Sequence, residues 1–148
     1  MWRSYFKFCV VRNPYDKAIS QFYFHRSIGR FRTDESLPDA LQFEKWLSTP
    51  NLAIDRNKYT IEGEFCMDRV IRYERLEADL KEVCAHLAIE WIPERLSRFK
   101  AGFRPSSASV ASRYTPASAR VIRERFSFES RHFGYLASPI HDPGSTPQ

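Results

Sequence analysis

A strand-like run from Tyr5 to Val11 ends in Arg12-Asn13-Pro14, and Ser20 follows in the next helical stretch. An arginine at the carboxyl end of a parallel strand points into the crevice where open α/β sheets bind their ligands. The amide end of the following helix favours an anion there, and a guanidinium offers phosphate oxygens a charged fork. Ser20 lies roughly a turn and a half beyond Pro14, so its hydroxyl can complete the cradle. The same spacing also suits a plainer arrangement, with Arg12 paired to Asp16 at the surface and Ser20 an ordinary helix serine.

Three further groups could join an anion site. Arg72 stands near the end of a second strand-like run, Arg69 to Tyr73, and could reach the same crevice. Glu74 could orient a basic group or cap the helix that follows, and a purely structural role for the Arg72 and Glu74 pair at the sheet edge fits equally. Lys100 and Arg104 flank Gly102 at the start of a Ser-rich segment that could fold over a bound nucleotide, or could be a solvated linker after a helix end at Gly102. His25 is the titratable candidate for a base. A lone histidine between Phe24 and Arg26 near a helix end also suits a surface or capping role.

The elements that must position these groups can be read from the chain. Tyr5 to Val11 is nearly continuous in apolar residues, as for a strand covered on both faces. Asn13-Pro14 is an N-cap and first-turn pair, which predicts a helix from Pro14 to about Ile28 with Ile19, Phe22, Tyr23 and Phe24 on its apolar face. A second helix is expected over Asp39 to Leu47, with Leu41, Phe43, Trp46 and Leu47 as its stripe, and Ser48 to Gly63 reads as an irregular binding loop or lid. After the second strand, Leu76, Leu80, Val83, Cys84 and Leu87 mark a third helix. Pro93 to Phe99 reads as a short helix, Lys100 to Arg113 as a basic loop, and Thr115-Pro116 as the start of a helix through about Glu129. Two strand-then-helix units favour an α/β fold with a parallel sheet.

Composition bounds the classes. With 148 residues, 43% hydrophobic and 15% aromatic, the chain can bury one ordinary core, and residues 1–136 read as one domain with a tail over 137–148. A net charge of +5 suits anionic partners or a merely solvated basic surface. Cys9, Cys66 and Cys84 read as buried thiols in a reducing, cytoplasmic setting. No CxxC pair occurs and His25, His86, His132 and His141 have no ligand spacing, so no metal is expected. There is no long apolar span and no secretion signal. Tyr23, Phe24, Arg26, Arg30, Phe31 and Arg32 interleave aromatics with charge as nucleic-acid modules do, yet no such motif is present and two of the aromatics fit a buried helix face. No nucleic-acid partner is expected.

The segment from Phe8 to Tyr23 resembles the 3′-phosphate-binding motif of sulfotransferases, Arg-x-Pro-x-x-Arg-x-x-Ser-x-x-Tyr, in the branch that includes carbohydrate sulfotransferases and bacterial relatives. Arg12, Pro14, Ser20 and Tyr23 match, and Lys17 stands where the family has arginine, keeping charge without the bidentate fork. Arg72-Tyr73-Glu74-Arg75-Leu76 is similar to the family's strand-to-helix segment, Phe133-Gly134-Tyr135 to its ending, and Lys100 to Arg104 to its late basic loop.

The resemblance implies a parallel-sheet fold of the P-loop nucleotide-kinase type. It also implies 3′-phosphoadenosine 5′-phosphosulfate as donor, held by Arg12 and Ser20 with Arg72, Lys100 and Arg104 contributing, and a small-molecule or carbohydrate acceptor. The chain departs from the family in having no Gly- and Lys-bearing turn before Arg12, where the family's loop for the 5′-phosphosulfate would stand. It therefore resembles a member that starts late. A non-catalytic nucleotide-binding or interaction domain built on the same fold is the alternative.

Overall fold

A computed structural model of the chain describes residues 4–96, 103 and 109–135. The chain divides into two compact units, one formed by residues 1–13 and 54–99 and the other by residues 14–53 and 100–148. Together their elements make a mixed helix and sheet protein with a small parallel sheet, an arrangement compatible with the α/β class.

The first unit is built on strand β1, Phe8–Val11, which runs parallel to a later strand, Arg69–Arg72. Between them in sequence lies a hairpin of β2, Thr60–Ile61, and β3, Glu64–Phe65; the later parallel strand is therefore β4. Helix α1, Pro14–Ser27, and helix α2, Asp39–Leu47, belong to the second unit. Helix α3, Leu76–His86, follows β4 through a single 3-10 turn, Tyr73–Arg75, and buries Val83 and Asp79. Leu76, Leu80 and Cys84 are half-buried, whereas Leu87, expected on the same stripe, is 38% exposed beyond the helix end.

Two expectations for this unit need correction. The first strand is shorter than Tyr5 to Val11, and it is not covered on both faces: Phe8 and Val10 are 42% and 48% exposed while Val11 is buried. Alternation puts Phe8 and Val10 on the same face of β1, and both are exposed. The stretch expected to be irregular up to Gly63 instead contains the 3-10 turn Arg56–Lys58 and the hairpin. Its two-residue turn places Glu62 and Gly63 at φ 53° and 86°, the positive pair that matches strand twist.

The second unit is helical. Its core is aromatic: Tyr15, Phe22, Phe43, Trp46 and Phe126 are each at most 1% exposed. Tyr15, Ala18, Ile19, Phe22 and Tyr23 recur at helical spacing along α1, which begins at Pro14 as its Asn-Pro signal predicts. On α2 the buried face is Gln42, Phe43, Trp46 and Leu47, and Leu41 is turned out at 44% exposure because it lies off that arc.

Thr115 and Ser118 form a reciprocal capping box at the start of α4, Pro116–Arg125. The expected helix through Glu129 breaks at Phe126, whose buried ring and non-helical ψ of 24° separate α4 from α5, Ser127–Phe133. Gly134, at φ 67°, closes α5 in the left-handed conformation, with the Tyr135 N–H donating to the Ser130 carbonyl. The expected helix over Pro93 to Phe99 is a 3-10 turn at Pro93–Arg95, with residues 97–99 and the 137–148 tail lying outside the described residues.

Candidate functional site

The carboxyl end of the parallel sheet in the first unit gathers the strongest candidates. Pairing runs from Phe8 with Arg69 to Val11 with Arg72, so Arg12 leaves β1 at the same end at which Arg72 ends β4. Two guanidinium-bearing residues expected from separate motifs thus share one sheet edge. The Arg12 guanidinium carbon stands 4.2 Å from the centroid of the Tyr73 ring, a cation–π stack that fixes the side chain against the turn after β4. The Asn13 N–H donates to Glu74 Oε1 at 2.6 Å. Asp79, in the first turn of α3, accepts from the Arg72 N–H at 2.8 Å and pairs with Arg75 at 3.3 Å.

Charges at this edge are therefore organised rather than scattered. Arg12 and Arg72 are half-buried and bring positive charge, while Asp79, 7% exposed, accepts from the Arg72 N–H and pairs with Arg75. Burial, with a smaller contribution from Cys66, pushes the Cys9 thiol up to about 11, so it stays protonated near neutrality.

The remaining candidates lie elsewhere. Ser20 is on α1 in the second unit and half-buried, next to Gln21, whose amide donates to the Asn51 carbonyl at 2.9 Å. Lys17 approaches the Phe126 ring at 5.6 Å in that unit. His25, read as a surface or capping residue or a base, is instead a core residue: it is 6% exposed and its Nδ1 accepts from Trp46 Nε1 at 3.2 Å. The helix end was visible in sequence, but not that α2 would bring an indole over it. Lys100 and Arg104 lie outside the described residues.

Tyr23, the last residue of the phosphate-site pattern, belongs to a cluster that sequence reasoning missed. Its hydroxyl donates to Asp39 Oδ2 at 2.7 Å, Arg26 pairs with Asp39 Oδ1 at 2.8 Å, and Arg113 also pairs with Asp39. Burial, then the hydrogen bond and charge of Asp39, push the Tyr23 hydroxyl up to about 12. For Asp39, desolvation raises the carboxyl but is outweighed by the Tyr23 and Arg26 hydrogen bonds and the Arg26 and Arg113 charges, leaving it below its ordinary 3.8.

A carboxyl lowered by folding adds stability that is fully present above 3.8 and lost as pH falls through the lower, folded value. Asp39→Asn is expected to cost about 1–2 kcal/mol at neutral pH. In urea unfolding from pH 7 downward, its difference from wild type should shrink once the pH drops below 3.8. A difference that is constant with pH would show that the Asp39 charge contributes nothing.

Among the described residues no group of three or more His, Cys, Asp or Glu side chains could hold a metal ion, and no helix is long and apolar enough to cross a membrane. No family model, curated protein or solved structure matches the chain.

Proposed function

We propose that this chain is a sulfotransferase-like protein that binds 3′-phosphoadenosine 5′-phosphosulfate and transfers its sulfuryl group to a hydroxyl or amine acceptor, with carbohydrate the acceptor class that the resemblance implies. The fold that goes with this reading is the parallel-sheet nucleotide-kinase type. One observation carries it: parallel pairing brings Arg12 and Arg72, from two motifs 60 residues apart that each resemble the family, to one carboxyl edge. That edge is where α/β sheets receive ligands. The resemblance implies Arg12 and Ser20 for the 3′-phosphate, with Arg72, Lys100 and Arg104 adding positive charge. In transfer, the bond from sulfur to the phosphate oxygen breaks, a bond from sulfur to the acceptor oxygen or nitrogen forms, and the acceptor proton passes to a base. Adenosine 3′,5′-bisphosphate is the leaving product. Fixed positive charge around the transferring group and in-line placement supply most of the rate.

The alternative, a nucleotide-binding domain without transfer, is favoured by His25, the one histidine weighed as a base, being buried and accepting from Trp46 Nε1. Incubation with radiolabelled donor and a mixture of oligosaccharides separates the two. The proposal expects labelled saccharide and an equivalent of the bisphosphate. Saturable nucleotide binding with no labelled product supports the alternative, and no nucleotide binding contradicts both.

A further inference from the structure

The two strands of the parallel sheet stay in register beyond their ends. Pairing keeps a constant offset of 61 residues, and the same offset joins Lys7 to Asp68 before β1 and Asn13 to Glu74 after it. In both cases a backbone N–H on the β1 side donates to a carboxylate on the β4 side, from Lys7 to Asp68 Oδ2 at 2.7 Å and from Asn13 to Glu74 Oε1 at 2.6 Å. The reason for the substitution is visible at the Glu74 end. The chain turns into a 3-10 helix after Arg72, and the Tyr73 carbonyl is taken by the Leu76 N–H within that turn. A side-chain oxygen stands where a strand carbonyl would otherwise continue the ladder.

Arg12 is therefore held between two anchored neighbours. Val11 is fixed by its pairing with Arg72, Asn13 by the Glu74 carboxylate, and the Arg12 side chain by the ring of Tyr73, the residue next to Glu74. Removing the Glu74 acceptor frees the backbone on which the guanidinium is aimed. We infer that Glu74 is a positioning residue for the anion site: its carboxylate pins the Asn13 amide and through it sets Arg12 for phosphate, a role that rests on the nucleotide-binding reading above. A neutral side chain with the same oxygen should serve equally, and should also repel a phosphate less.

A double-mutant cycle on the full chain tests this, with adenosine 3′,5′-bisphosphate titrated calorimetrically and folding checked by circular dichroism. Glu74→Ala is expected to weaken binding by about tenfold when Arg12 is present and by less than about twofold in the Arg12→Ala background. Glu74→Gln is expected to match wild type or bind more tightly. Equal losses from Glu74→Ala in both backgrounds, or a Glu74→Gln variant as weak as Glu74→Ala, would overturn the positioning role while leaving the nucleotide site standing. A wild type that gives no saturable heat overturns the nucleotide site and the role together.

Discussion

Replacing Arg12 with alanine is expected to weaken adenosine 3′,5′-bisphosphate binding by about thirtyfold to a hundredfold, the loss that follows from removing charge-assisted hydrogen bonds to a phosphate. The effect should be large because Arg12 is not a loosely tethered surface side chain. It is half-buried, stacked at 4.2 Å on Tyr73, and leaves a strand whose register with β4 is fixed. Preorganisation of this kind lowers the entropy lost on binding. Arg12→Lys should recover only part of the affinity, since an ammonium keeps the charge but loses both the planar fork and much of the stack on the ring. Calorimetric titration of the three proteins at one salt concentration measures this directly. An Arg12→Ala protein with wild-type affinity would place the phosphate elsewhere.

The second large effect concerns stability. Trp46→Ala is expected to destabilise the chain by about 3–5 kcal/mol, a substantial share of the total stability of an ordinary domain. Trp46 is fully buried at 0% exposure, and its ring lies 5.9 Å from that of Phe22, 5.8 Å from Phe43 and 5.6 Å from His25. Removing it leaves a cavity among aromatic walls and takes away the N–H from which His25 Nδ1 accepts. Trp46→Phe separates the two costs, because it refills most of the volume but still lacks the N–H donor. It should cost about 1–2 kcal/mol more than the volume change alone. Urea unfolding followed by circular dichroism reads both; a loss below about 1 kcal/mol for Trp46→Ala would contradict the packing described here.

The helices were the most legible part of the chain because their signals are local. Asn13-Pro14 marks the start of α1 and Thr115-Pro116 that of α4, and α2 occupies the expected Asp39–Leu47. What failed depended on partners distant in sequence. The apolar run of β1 reads as a doubly covered strand, but whether a layer packs over Phe8 and Val10 depends on tertiary packing that local spacing does not record, and both are exposed. The hairpin at Glu62-Gly63 was hidden because its strands are two residues each, too short to show alternation. The break at Phe126 is set by a ring entering the core rather than by any glycine or proline.

At the site, Arg12 and Arg72 were both expected at strand ends, and parallel pairing puts them at the same edge. Glu74 does not cap α3, whose N-cap has no side-chain hydrogen bond, and it accepts from the backbone N–H of Asn13. Tyr73 as a platform for Arg12 was illegible for the same reason, since the stack exists only once the strands are in register. The Asp39 cluster joins residues of α1 and α2 with Arg113, far along the chain, and no spacing in the sequence announces it.

The contribution of a single phosphate group tests the central claim most directly. Adenosine 3′,5′-bisphosphate and adenosine 5′-monophosphate differ only at the 3′ position, so the ratio of their affinities for the wild-type chain isolates what the Arg12 edge adds. The account predicts that the bisphosphate binds at least about tenfold more tightly and that the advantage disappears in Arg12→Ala. Equal affinities in the wild type, or an advantage that survives the loss of Arg12, would contradict it.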